Sequence, residues 1–171
     1  MLMEIERKYL IRYMPEQIND CIRLEIEQGY LCRKPVVRIR KSNDDYILTY
    51  KNKQKDSNVD GRPLISEEVE VPLNKKAFDH LKEKVDNHII SKTRYVIPLE
   101  NGLKAELDVF HKRLEGLVFV EVEFPDVETS ESFVTPDWFG EEITADRRYS
   151  NGNLSELVDL KDFKKYGYPC T

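Results

Sequence analysis

The stretch "EIERK" at residues 4–8 decides how the rest of the sequence is read. In a β-strand successive side chains point to opposite faces, so residues two apart are neighbours. Glu4, Glu6 and Lys8 therefore share one face, while Ile5, Arg7 and Tyr9 share the other. A strand lying on an ordinary core carries apolar residues in that register. The ionisable face is either solvated or turned onto a polar cavity.

The pattern returns along the chain. "VVRIRK" at 36–41 puts Arg38 and Arg40 opposite Val37 and Ile39, and "YILTYK" at 46–51 puts Ile47, Thr49 and Lys51 opposite Tyr46, Leu48 and Tyr50. The turn-forming residues 42–45, Ser-Asn-Asp-Asp, predict a hairpin between these two runs. "ISEEVEV" at 65–71 aligns Glu68 with Glu70, and "SKTRYVIP" at 91–98 aligns Lys92 with Arg94. "LKAELDVF" at 103–110 aligns Glu106 with Asp108, and "LVFVEVEF" at 117–124 aligns Glu121 with Glu123. With the shorter "QGYLC" at 28–32, the sequence predicts about eight strands, a number suited to a closed antiparallel barrel.

Helical signals are fewer. Asn74 caps an amphipathic stretch within 72–85 that carries Ala77, Phe78, Leu81 and Val85. Weaker helical patterns fall near 15–27 and 129–134, and a C-terminal one spans roughly 153–165. The class is α+β, with helices available to cover an apolar outer surface.

For any one strand, alternation of charged and apolar residues fits a one-sided sheet with a wet face. The composition of the charged register argues against that here. A wet face mixes Lys, Glu, Ser, Thr and Asn, whereas these doublets are each of one sign. Like charges side by side repel, modestly in water and much more in a sheltered site. Such doublets make sense when opposite charge sits between them: cations against the carboxylates, a polyanion against the bases.

Bulk properties set the frame. The chain has 171 residues, 40% of them hydrophobic and 35% charged, as expected of one globular domain spanning 1–171. A net charge of −5 argues against coating nucleic acid. No apolar run reaches the length of a membrane span, and the first residues lack the regions of a signal peptide. Cys21, Cys32 and Cys170 are scattered without metal-site spacing, as reduced thiols of a cytoplasmic protein would be. His111 reads as a surface residue, Trp138 as packing on the barrel exterior, and Arg7 as a salt-bridge or dimer contact.

Taken in order, "EIERK", "QGYL", "VRIR", "LTYK", "SEEVEV", "KTRY", "ELDVF", "LEGLVFVEVEF" and "FGEEITADRRYSNGNL" resemble the CYTH domain of the triphosphate tunnel metalloenzymes. The resemblance covers nearly the whole chain. It implies an eight-stranded antiparallel barrel with a charged lumen, helices outside, a small-molecule triphosphate substrate, Mg²⁺ or Mn²⁺, and a homodimer. By motif, Glu4, Glu6, Glu121 and Glu123 match the metal-binding carboxylates. Lys8, Arg38, Arg40, Lys51, Lys92 and Arg94 match the phosphate-binding cations. Glu68, Glu70, Glu106 and Asp108 match supporting acids that act, with Lys8, in catalysis. The "DRRYSN" match puts Arg148 or Asp146 at the tunnel end. The implied activity is hydrolysis of inorganic triphosphate. Class IV adenylate cyclase chemistry, or hydrolysis of thiamine or nucleoside triphosphates, would use the same tunnel. A module that merely sequesters polyphosphate would need cations more than this set of acids.

Overall fold

The computed structural model describes residues 2–53 and 64–163; Cys170 and the end of the expected C-terminal helix, 164–165, lie outside them. Among the described residues, nine strands form one antiparallel sheet: β1 (Leu2–Ile11), β2 (Ile22–Arg33), β3 (Val36–Ser42), β4 (Asp45–Lys53), β5 (Leu64–Leu73), β6 (Asp86–Pro98), β7 (Lys104–Phe110), β8 (Val118–Phe124) and β9 (Phe139–Glu142). Their order is β5-β4-β3-β2-β6-β7-β8-β1-β9, and a further ladder pairs β1 with β5. Through that ladder the first eight strands in the order run round in a ring. Short β9, which the sequence pattern did not announce, hangs on the end of β1.

The apolar register faces outward. Ile5 and Tyr9 of β1, Ala105 and Leu107 of β7, and Val118, Val120, Val122 and Phe124 of β8 form a buried layer with Trp138 and Phe139. Trp138 packs edge-on to Phe139 with ring centroids 4.5 Å apart, so the single tryptophan covers the barrel wall as expected. On the other side, α1 (Lys75–Lys82) lays Phe78 against Tyr46 at 5.2 Å. Asn74 caps this helix by accepting from the Ala77 amide. A second apolar cluster closes one end of the barrel. Tyr30, Ile90, Phe110 and Phe119 meet Ile143, Tyr149, Leu154 and Phe163 there.

Three expectations need correction. Residues 15–27 are not helical: a single 3-10 turn at Glu16–Asn19 leads into the twelve-residue strand β2. The alternation Ile22-Arg23-Leu24-Glu25-Ile26-Glu27 has period two, and pairing with both β3 and β6 enforces it. The region 129–134 contributes only the short α2 (Val127–Glu131). The stretch 153–165 yields α3 (Asn151–Leu154) and a 3-10 turn at Lys161–Phe163, because its apolar residues pack on the barrel end individually. The hairpin between β3 and β4 is as predicted, with Asn43 in the left-handed region at φ 51°. Among the described residues, no helix is long and apolar enough to cross a membrane.

Gly29 marks the closest approach between β2 and its cover. A Cβ at this position would fall 2.7 Å from both Val85 Cγ1 and Ile89 Cδ1. Overpacking of this kind costs about 1–3 kcal/mol. Gly29→Val is therefore expected to lower the midpoint of denaturant unfolding by a corresponding amount, with a wild-type slope.

Candidate functional site

Ladder register carries the site. Glu6 pairs with Glu123 and Lys8 with Glu121 across β1–β8, Glu106 with Glu121 across β7–β8, and Arg94 with Asp108 across β6–β7. On the far side, Arg38 pairs with Thr49, Thr49 with Glu70, and Lys51 with Glu68. Paired residues point to the same face, so all these side chains turn inward together. All of them but Asp108 and Thr49 line a cavity of about 1090 Å³. Thirteen of the fifteen residues singled out from sequence lie on its wall: Glu4, Glu6, Lys8, Arg38, Arg40, Lys51, Glu68, Glu70, Lys92, Arg94, Glu106, Glu121 and Glu123.

The two others are placed differently. Asp108 is completely buried behind the wall, where it accepts from Lys92 Nζ at 2.5 Å and from Arg94 Nε at 2.7 Å. It anchors the two cations and does not face the cavity. Arg148 is exposed and its guanidinium is held by Asp146 at 2.5 Å. Asp146 and the neighbouring Arg147 line the cavity instead. Of the two residues that the motif match offered, Asp146 borders the cavity and Arg148 does not.

Acids and bases interlock around the wall. Lys8 Nζ meets Glu121 at 2.8 Å, and Arg94 reaches both Glu121, at 3.2 Å, and Glu106. Lys51 pairs with Glu4 and lies 3.7 Å from Glu68. Arg40 meets Glu70 at 3.1 Å, and Arg38 donates to Thr49 Oγ1 at 3.2 Å. Burial opposes ionisation of Glu121, but Lys8, Arg94 and Lys92 outweigh it and hold its carboxyl well below the usual range. Burial and the carboxylate of Glu4 push Glu68 up to about 7, against the pull of Lys51. Glu123 is pushed up by burial and by Glu4, Glu106 and Glu6. Lys92 is brought down to about 8 by burial and by Arg94, although Asp108 resists. Burial, Arg38 and Arg94 likewise bring Arg40 down.

These shifts show a wall with charge to spare in two places. One side has more acid than nearby bases neutralise; the Arg38–Arg40 side repels itself. Among the described residues, no three acidic, histidine or cysteine side chains are gathered as a preformed metal site. Glu4 and Glu121 lean onto bases instead.

Sequence reasoning missed several wall residues. Gln28 and Tyr30 of β2, Arg33 and Lys34 beyond them, and Thr144, Asn151 and Asn153 all border the cavity. Thr144 accepts from the Lys8 amide at 2.9 Å and donates to Glu142 at 2.7 Å. Glu142 in turn binds Arg7 at 2.6 Å, so the outward arginine of "EIERK" is a salt-bridge residue, one of the two roles expected of it. His111 lies outside the ring, with Nε2 2.7 Å from Thr93 Oγ1.

An inside-out antiparallel barrel with an acid–base lumen defines a polyanion-handling class of protein. The CYTH domain model matches residues 2–156, and the chain belongs to that family. It is 34% identical over 155 residues to an inorganic triphosphatase of Nitrosomonas europaea, covering 89% of this chain and 96% of that one. It is 36% identical over 140 residues to an inorganic triphosphatase of Acetivibrio thermocellus, covering 81% and 83% respectively. The crystal structure of the inorganic triphosphatase NE1496 superposes with a TM-score of 0.66 at 32% identity, covering 93% of this chain and 98% of that one.

Because Asp108 neutralises two buried cations, its loss strands Lys92 and leaves Arg94 with Glu106 and Glu121 as its carboxylate partners among the described residues. Removing one partner of a buried ion pair is strongly destabilising, by about 3–5 kcal/mol. Asp108→Ala is expected to show that loss in chemical denaturation, more than any single substitution of a cavity-facing glutamate.

Proposed function

We propose that this chain hydrolyses inorganic triphosphate to pyrophosphate and orthophosphate within the barrel, with Mg²⁺ or Mn²⁺ as cofactor. The observation that carries this reading is the convergence of Lys8, Arg38, Arg40, Lys51, Lys92 and Arg94, from four strands, on one cavity. A linear triphosphate repels itself along its length, and six cations facing one space can hold it extended. Arginines add paired donors suited to phosphate oxygens. The relatives named inorganic triphosphatase support the choice of substrate. So does the sparse apolar lining. Tyr30, Pro35, Val36 and Ala145 border the cavity, but Tyr30 is itself buried in the end cluster. A cyclase acting on ATP needs a place for adenine and ribose, and among the described residues this wall presents no phenylalanine or tryptophan to stack on a base.

Glu4, Glu6, Glu121 and Glu123 fit a hard divalent cation. They are oxygen donors from two adjacent strands, and the mutual repulsion felt by Glu123 is what a cation would relieve. When bound, such an ion would neutralise phosphate oxygens and lower the pKa of a ligating water. The protein's own groups do the rest. Phosphoanhydride cleavage asks mainly for positioning and charge neutralisation. Lys8 is fixed by Glu121 and by the Tyr149 carbonyl at 3.2 Å. Lys92 and Arg94 are fixed from behind by Asp108. Glu68, poised near neutrality, is placed to hold or release a proton beside Lys51. The walls keep bulk solvent from weakening these contacts.

A homodimer in a reducing, cytoplasmic setting completes the reading. Cys21 and Cys32 are free, and Tyr50, Val69 and Val71 leave an exposed apolar strip on the outer face of β4 and β5.

The test offers tripolyphosphate, ATP and thiamine triphosphate with each metal and follows phosphate release and cyclic AMP. Tripolyphosphate is expected to be the preferred substrate; cyclic AMP from ATP without phosphate from tripolyphosphate would overturn the proposal. The Glu6→Gln/Glu123→Gln double variant should lose at least 100-fold in turnover while staying folded, on the scale of about 2.7 kcal/mol or more. Wild-type rates in it would refute the metal assignment. The pH profile gives a separate check. Lys92 is charged below about 8, so anion binding that uses it is lost as pH rises through that value. The expected fall in kcat/KM should be absent in Lys92→Arg, whose guanidinium stays protonated.

A further inference from the structure

Strand β2 differs from the other walls of the ring. Its inward register carries Leu24, Ile26, Gln28 and Tyr30, with no charge among them. Gln28 is the amide in that row. It is 1% exposed, borders the cavity, and among the described residues its Nε2 has no hydrogen-bond partner. An unpaired buried donor is expensive to keep, which is why such groups are rare in folded proteins. Its ladder partners are Arg40 on β3 and Ile90 on β6. The methyl groups of Ile90 offer nothing to an N–H, and Arg40 is itself a donor.

We propose that Gln28 is a substrate-binding residue, its amide nitrogen donating to a phosphate oxygen of the triphosphate held by Arg40. This rests on the proposed function of the cavity and adds a residue to it. A neutral donor suits the position. Arg38 and Arg40 already repel each other, and Arg94 adds to the crowding. A further cation there would raise that repulsion, whereas an amide supplies a directed hydrogen bond without adding charge. Gly29 keeps the placement tight: the backbone beside Gln28 lies so close to Val85 and Ile89 that β2 has no room to shift toward them.

Gln28→Met keeps the length and removes the donor; Gln28→Glu keeps the shape and adds a negative charge. With tripolyphosphate and Mg²⁺, Gln28→Met is expected to raise KM about tenfold with kcat nearly unchanged, and Gln28→Glu to raise it further. In metal-free protein the melting temperature of Gln28→Met should equal or exceed wild type, because an unsatisfied donor has been removed. Its further rise on adding tripolyphosphate should shrink. Wild-type KM in Gln28→Met would overturn the proposal, as would a lowered melting temperature with an undiminished response to tripolyphosphate, which marks a packing role. Arg40→Ala is the control. If it raises KM while Gln28→Met does not, the Gln28 assignment alone fails. If neither changes KM, the reading of the cavity as the substrate site fails with it.

Discussion

The fold depends on placing charge inside without leaving it unanswered. Taking ions out of water costs several kcal/mol each unless opposite charges and hydrogen bonds compensate. Here compensation is built by ladder register. Lys8 faces Glu121, Arg94 faces Asp108, and Lys51 faces Glu68 across neighbouring strands. Each pairing sits on the inner face because the outer face of the same strands is largely apolar, covered on β1, β7 and β8 and partly exposed on β4 and β5. Moving one strand by a single residue would send its charges into the outer layer and its valines into the lumen. Register, compensation and burial therefore enforce one another.

That compensation is incomplete in places that matter for ligands. Asp108 holds Lys92 and Arg94 from behind, while among the described residues the Arg38–Arg40 side meets Glu70 and Thr49. On the acid side the carboxyls of Glu68, Glu106 and Glu123 are pushed up, by burial first and by neighbouring acids in addition. A bound polyanion with cations would answer both imbalances at once. The protein thus keeps enough internal pairing to fold and enough unanswered charge to bind.

Much of this was legible from residue order because a period of two leaves a strong mark when the inward residues are charged. The opening "EIERK", the Arg38/Arg40 doublet and "VEVEF" reveal both strand and face. Where inward residues are neutral, the mark disappears. Strand β2 carries its charges outside, at Arg23, Glu25 and Glu27, so its early half resembled a helix and its inward Gln28 drew no notice. Asp108 shared a face with Glu106, yet pattern alone could not show that two cations would cover it. Arg147 and Arg148 are adjacent in an irregular segment without periodicity, and only the fold separates the one at the wall from the one outside it.

Thr144 and Tyr149 hold Lys8 across separations of 136 and 141 residues. A ribosome releases Lys8 long before the residues that clasp it. The growing chain must therefore carry β1, with three ionisable side chains in one row, while all the intervening sequence is made, before the ring can shut around it. Folding slows as the mean sequence separation of contacting residues rises, and contacts of this span raise it. A nascent chain stalled before residue 144 would carry Lys8, Arg38, Arg40, Lys51, Lys92 and Arg94 along the sequence, with Arg147 still to come and no completed chamber to put them in.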